Sequence, residues 1–173
     1  SLTEEQTPWI KLLKEGELPY IPPEEIIHGW MIQQEWCEIL EQSIRAGKSD
    51  HWLSWLHLGI MYYSHGNFEK AEALWKISLS KEPSLWAYRN LSLLAQKKGD
   101  ISNAYEFMKK AWEMSFAIGN KLLIRVISIE YGKLLIDMGK GEKALEFINS
   151  LPADISKLGR IKLIKAYAAL QTG

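Results

Sequence analysis

The chain has 173 residues and a mass near 19.9 kDa, enough for one domain that buries roughly 70% of the surface its unfolded chain exposes without disulfides or metal. Lys+Arg 21 cancels Asp+Glu 21 and the pI is about 6.9, so no global field draws the chain to nucleic acid or to anionic lipid, and neither is expected as a partner. Cys37 is the sole cysteine, which rules out an intrachain disulfide, leaves any metal site to histidines and carboxylates, and fits a reducing, cytoplasmic compartment. The longest apolar runs, such as 122–129, are broken by Arg125 and fall well short of the ~20 residues of a membrane span. Opening on Ser1 rather than Met, the chain reads as part of a longer protein from which a leader or an upstream domain has been removed.

Residues 1–23 contain Pro8, Pro19, Pro22 and Pro23 and read as an extended lead-in or linker; residues 24–173 read as a helical domain. The stretch 24–46, with Ile27, Trp30, Met31, Trp36, Ile39 and Leu40 and a stop at Gly47, predicts a helix packed on the first of a series of repeats. Three small-residue columns mark those repeats in register: Gly59, Ser92, Gly132 and Ala166; Gly66, Gly99, Gly139 and Gly173; Ala71, Ala104 and Ala144. All are spaced by 33, then 40, and, where a fourth member exists, 34 residues. A small residue inside a helix admits a close neighbour, and a glycine at a helix end takes the left-handed conformation that terminates it. Each unit is therefore helix, glycine turn, helix, with Asn67 and Asp100 as N-caps of the second helix. Apolar residues come next at helical spacing, as in Ala71, Leu74, Trp75 and Ser78, so both helices of a pair are amphipathic.

The step of 40 holds seven extra residues, about one turn on each of two facing helices, and predicts a longer hairpin over 102–117 and 121–137 joined at Gly119-Asn120; an inserted loop is the alternative. At the end of the chain, 155–172 predicts the first helix of a fourth unit, whose Lys157, Arg160, Lys162 and Lys165 suit a polar cap or a further unit.

A helix–turn–helix of this length carrying Trp55, Leu58, Gly59, Tyr62, Gly66, Ala71 and Pro83 in order resembles the tetratricopeptide repeat (TPR). Ser78 departs mildly from the Ala usual there. The second unit keeps Tyr88, Leu91, Gly99, Ala104 and Ala111 but has Ser92 for Gly and Phe116 for Pro, and the third keeps Gly132, Gly139 and Ala144. The resemblance implies an all-α, TPR-like α-solenoid, a right-handed superhelix of antiparallel helix pairs with about eight helices. Its repeats run about 52–84, 85–118 and 125–152, between flanking helices 24–46 and 155–172.

No catalytic constellation is evident, and no enzyme activity, cofactor or metal is expected. Histidines 28, 51, 57 and 65 do not form the helical zinc-binding pair, and His57 sits at a repeat position that is usually partly exposed. Cys37 reads as a buried small hydrophobe. Glu35, Glu38 and Glu41 read as a solvated stripe rather than an acid/base pair, and the glycines mark helix ends without cradling phosphate. Of the eight tryptophans, Trp30, Trp36, Trp75 and Trp112 fall on core-facing stripes and Trp55 is the repeat's own, leaving Trp9, Trp52 and Trp86 as surface candidates.

What remains is a surface. The resemblance implies that the first helix of each unit lines a concave groove for a polypeptide: Leu53, Leu56, Ile60 and Tyr63; then Trp86, Arg89, Asn90, Leu93 and Lys97; then Ile129, Glu130, Lys133 and Asp137. An apolar anchor near Tyr63 and Trp86, with Arg89 and Asn90 on a peptide backbone, gives a non-catalytic protein–protein interaction scaffold. For the apolar half, the alternative is that the N-terminal helix already covers it. The family's clamp for a C-terminal carboxylate is not expected, because Leu56, Ile60 and Glu130 stand where its cations and amide belong. Further wording, 55–59, 78–79, 86–91 and 159–161, resembles the C-terminal repeats of a bacterial family. Its large proteins carry an upstream mutarotase-like β-sandwich domain of unknown function. This second resemblance implies a larger bacterial protein whose groove takes a polypeptide partner or the upstream part of its own chain. Alternatively the chain is an accessory module of a carbohydrate-related protein, touching glycan or that domain through Trp86, Arg89 and Asn90.

Overall fold

A computed structural model describes residues 6–25, 27 and 29–173; the first five residues of the lead-in and His28 lie outside the described residues. Every regular element among the described residues is a helix. They are α1 (Thr7–Glu15), α2 (Gln34–Arg45), α3 (Trp52–Ser64), α4 (Phe68–Lys81), α5 (Leu85–Lys97), α6 (Ile101–Ile118), α7 (Lys121–Asp137), α8 (Gly141–Ser150), α9 (Ala153–Ser156) and α10 (Gly159–Thr172). The chain divides into two compact units, residues 1–94 and 95–173.

In the first unit α3 and α4 form an antiparallel hairpin. Two side chains of α4 donate to carbonyls of α3: Trp75 Nε1 to Leu56 at 3.2 Å and Ser78 Oγ to Trp52 at 2.8 Å. The second bond explains the serine in place of the usual alanine: its buried hydroxyl has a carbonyl to meet. The first small-residue column is closed here by an indole, since a Cβ on Gly59 would stand 2.3 Å from Trp75 Nε1. Gly66, with φ of 80°, ends α3 in the left-handed region that glycine enters without cost. Asn67 then accepts from Lys70 N at 3.1 Å and, one repeat on, Asp100 from Asn103 N at 3.2 Å. Lys140 caps nothing, because an ammonium has no lone pair to offer. Ala71, Ala104 and Ala144 are all fully buried.

The second unit shows where the seven extra residues go. α6 has 18 residues against 14 in α4, α7 has 17 against 13 in α5, and the connection is one residue shorter. The insertion is a longer hairpin, as its length predicts, turned at Gly119 and capped by Asn120 on Leu123 N at 3.0 Å. α6 and α7 run antiparallel: Trp112 donates to Ser128 Oγ at 3.2 Å and stacks on Tyr131 at 5.5 Å, with Phe147 of α8 edge-on to both. The repeat spacing did not single out Gly141, yet a Cβ there would meet the Ala168 carbonyl at 2.7 Å. That contact seats the start of α8 against α10.

Three expectations are corrected. The lead-in is not wholly extended, because α1 forms behind Pro8 at a first-turn position, where proline is tolerated. The helix predicted from residue 24 starts only at Gln34; Pro22-Pro23 and Gly29, with φ of 76°, keep the described residues before it non-helical. The helix predicted over 155–172 is split into α9 and α10 where Leu158 turns extended. With these changes the count of helices among the described residues is ten rather than about eight. Ala166 is exposed, since no helix among the described residues closes on that face.

Candidate functional site

The described residues of the connection between α1 and α2 lie along α3, fixed through backbone atoms. Leu18 N donates to Ser49 Oγ at 2.8 Å, and the Leu18 carbonyl accepts from His51 Nε2 at 2.9 Å. The Ile21 carbonyl accepts from Trp52 Nε1 at 2.8 Å, and Gly29 O from Trp9 Nε1 at 3.3 Å. This strap and α1 enclose His57 between Trp9 and Trp30, at ring-centroid distances of 4.8 and 5.1 Å. His57 is thus buried, 3% exposed, rather than partly exposed. Burial, with a smaller contribution from His51, pushes its pKa down to about 3, because a charged imidazolium there would lose its hydration.

The covering redistributes the tryptophans. Trp9 and Trp52 are fully buried rather than on the surface, while Trp30, read as core-facing, is 44% exposed. Trp36 and Trp112 are half-buried, and Trp75 is in the core as predicted.

Beside Trp30 a cleft of about 420 Å³ opens, with Trp75 and Ile60 joined by Tyr63, Trp86, Arg89, Asn90 and Leu93. Six predicted groove residues are therefore brought together: Ile60, Tyr63, Trp86, Arg89, Asn90 and Leu93. Two of the lining residues, Trp30 and Trp75, are missing from the predicted set. Trp75 was identifiable only as core, and no periodicity marks the strap that carries Trp30. Leu53 and Leu56, predicted as lining, are buried and do not line this cleft; α3 packs against α4 and α2. Trp86 Nε1 is buried without a hydrogen-bond partner, as is His51 Nδ1.

A second cleft, of about 430 Å³, lies in the other unit between α7 and α10. Ile129, Lys133 and Asp137 of the expected groove set line it, together with Ile136 of the same helix and with Arg160, Leu163, Ile164 and Tyr167 from the helix read as a cap or a further unit. Lys97 and Glu130 line neither cleft; Lys97 is exposed and Glu130 half-buried.

The remaining candidates resolve into structure. Cys37 is buried and its thiol pKa is raised, first by that burial, which suits an inert thiol. Glu41 leaves the solvated stripe: it accepts from Tyr62 Oη at 2.6 Å and pairs with Arg45 at 3.1 Å and Lys70 at 3.5 Å. Burial works to raise its pKa, but the Tyr62 hydroxyl and the cations outweigh it and the net shift is downward. Among the described residues no group of three His, Cys, Asp or Glu could hold a metal ion, and no helix is long and apolar enough to cross a membrane.

Helix–turn–helix units with clefts between successive first helices define a TPR-like helical-repeat fold, and comparison with solved structures agrees. The chain is similar to the crystal structure of the nearly identical TPR-like repeats of a putative kinesin light chain from Podosopora anserina. The TM-score is 0.55 at 20% identity, over 81% of this chain and 79% of that one. No protein-family profile and no curated protein matches.

Proposed function

We propose that this chain is a non-catalytic interaction module that holds a polypeptide in a cleft between first helices of successive repeats. The observation that carries the reading is the first cleft. Its lining joins aliphatic Ile60 and Leu93 and four aromatic side chains to Arg89 and Asn90, the combination that anchors one apolar side chain and holds the backbone on either side of it. The TPR-like fold of the kinesin light chain repeats supports a scaffold in general terms. A cytoplasmic setting fits the unpaired Cys37. The resemblance to bacterial proteins with an upstream sugar-type domain makes a larger protein, and a groove filled from within it, part of the same proposal.

The test is capture of partners by the full chain, wild type beside Trp86→Ala/Asn90→Ala, read by mass spectrometry with circular dichroism on both. A protein held by wild type and lost by the folded variant supports the reading. Equal capture by both refutes docking in this cleft; capture by neither refutes docking of a separate partner and leaves only a groove filled from within the larger protein. A second reading, a glycan-contacting accessory module, is favoured by Trp30, Trp75 and Trp86 sharing one cleft with Asn90.

A further inference from the structure

The α7–α10 cleft has a polarity. The two helices lie parallel, since Gly132 faces Ile164 and, one turn on, Gln171 Nε2 donates to the Ile136 carbonyl at 2.9 Å. Position along one helix therefore maps onto position along the other: Arg160 and Ile129 mark one end, Lys133 and Tyr167 the middle, Asp137 the far end. Leu163 and Tyr167 are 55% and 52% exposed, a large apolar area to leave in water, and Leu163 lies at the i+3 and Tyr167 at the i+7 position from Arg160, on the same helix face. Lys133, Asp137 and Arg160 are exposed, and no ion pair among the described residues engages them. Apolar floor, cations from one end to the middle and a carboxylate at the other end make a surface complementary to one arrangement of charge.

Resting on the polypeptide reading, we infer that this cleft docks a short segment of another protein that carries an acidic residue toward Arg160, apolar residues over Leu163 and Tyr167, and a basic residue toward Asp137. The span sets the spacing. Ile129 to Asp137 is eight residues of helix, about 12 Å at 1.5 Å per residue, which an extended peptide covers in about four residues. The motif is acid, about two apolar residues, base.

The experiment is selection of a displayed random dodecapeptide library on the full chain, followed by fluorescence anisotropy of the enriched peptides. Three variants are compared with wild type: Leu163→Lys/Tyr167→Lys, the swap Arg160→Asp/Asp137→Arg, and Trp86→Ala in the other cleft. The swap leaves folding intact, because it puts an acid in the first turn of α10 and a cation in the last turn of α7, both favourable to the helix dipoles. Expected are peptides with the acid–apolar–base order, binding lost at least tenfold in Leu163→Lys/Tyr167→Lys, reversed charge order selected by the swap, and no change with Trp86→Ala. A motif lost with Trp86→Ala alone overturns this inference and leaves the polypeptide reading standing. An enriched motif indifferent to the swap overturns it too. No enrichment on any variant sinks both. A chain that is dimeric by light scattering and monomeric as Leu163→Lys/Tyr167→Lys assigns the face to a second copy instead, and equally overturns the inference.

Discussion

Acid should open this protein through one histidine. His57 is neutral in the fold, with its pKa pushed down to about 3 by burial between Trp9 and Trp30, whereas in the unfolded chain it titrates near 6.5. The folded-state pKa is the lower of the two, so below pH 6.5 the unfolded chain binds a proton that the native one refuses. Stability then falls as pH falls, by about 1.4 kcal/mol per pH unit, until the native state takes up the proton near pH 3. Between pH 7 and pH 5 the loss from this group is about 2 kcal/mol, a large share of the 5–15 kcal/mol typical of a domain. That window lies above the carboxylates' usual range, so they contribute little to it. The perturbation is His57→Gln, which keeps polarity and approximate size but does not titrate. Urea unfolding followed by circular dichroism at pH 7, 6 and 5 gives the slope. Wild type should lose about 2 kcal/mol over this range and the variant only a small fraction of that. Equal slopes, or a folded-state resonance of the His57 imidazole itself, assigned by its loss in His57→Gln, titrating near 6.5, would refute the enclosure of His57 by the strap.

Gly59→Ala should destabilise by about 2–4 kcal/mol despite gaining about 1 kcal/mol of helix propensity, because the new Cβ displaces the Trp75 indole and breaks its bond to Leu56. Gly132→Ala, where the contacts are side-chain ends at 3.2–3.3 Å, should stay within about 1 kcal/mol of wild type; a reversed order in thermal melts would disprove the packing. Ser78→Ala deletes one buried bond to the Trp52 carbonyl and should cost about 1 kcal/mol, checked by the same melts. Glu41→Gln weakens the contacts with Tyr62, Arg45 and Lys70. The wild-type pKa here is lowered, so this group adds stability above its unfolded pKa that disappears as pH falls through the folded value; the variant should lack that acid-side component in urea titrations.

Much of the repeat architecture was legible because it is written in residues with a single physical use. Gly59 must lack a Cβ, Gly66 must turn left-handed, and Asn67 must accept from a free N–H; each need recurs at the repeat spacing. Even the lengthened α6–α7 hairpin could be counted from the shift in register. The strap was illegible for the opposite reason. It is held through carbonyls of Leu18, Ile21 and Gly29, and a backbone acceptor is the same in every residue. Its chemical signature lies instead in the donors, His51, Trp52 and Trp9, which carry no periodicity linking them to a distant segment. Hence Trp9 and Trp52 were read as surface and Trp30 as core, and Leu56 as lining a groove from which it is shut off. Gly141 escaped for a related reason: its contact is with α10, so the spacing within its own unit does not reveal it.

The same covering decides how the two functional readings can be told apart. Stacking on a pyranose needs an open aromatic face. In the first cleft Trp75 is 3% exposed and Trp86 keeps its Nε1 buried, while Trp30 is 44% exposed. A sugar would have to lean on Trp30, a residue of the strap, with hydrogen bonds from Asn90 and Arg89. A polypeptide anchor enters over Ile60 and Leu93 and depends on Trp86 as a wall. Trp30→Ala should therefore abolish any tryptophan quenching by oligosaccharides while leaving polypeptide capture largely intact, and Trp86→Ala should do the reverse. Trp30 also closes one side of His57, so Trp30→Ala should raise the histidine's pKa toward 6.5 and flatten the acid dependence. That independent readout shows whether the substitution has opened the strap locally. If quenching survives Trp30→Ala while the acid slope flattens, the sugar is held elsewhere and the cleft is left to polypeptide.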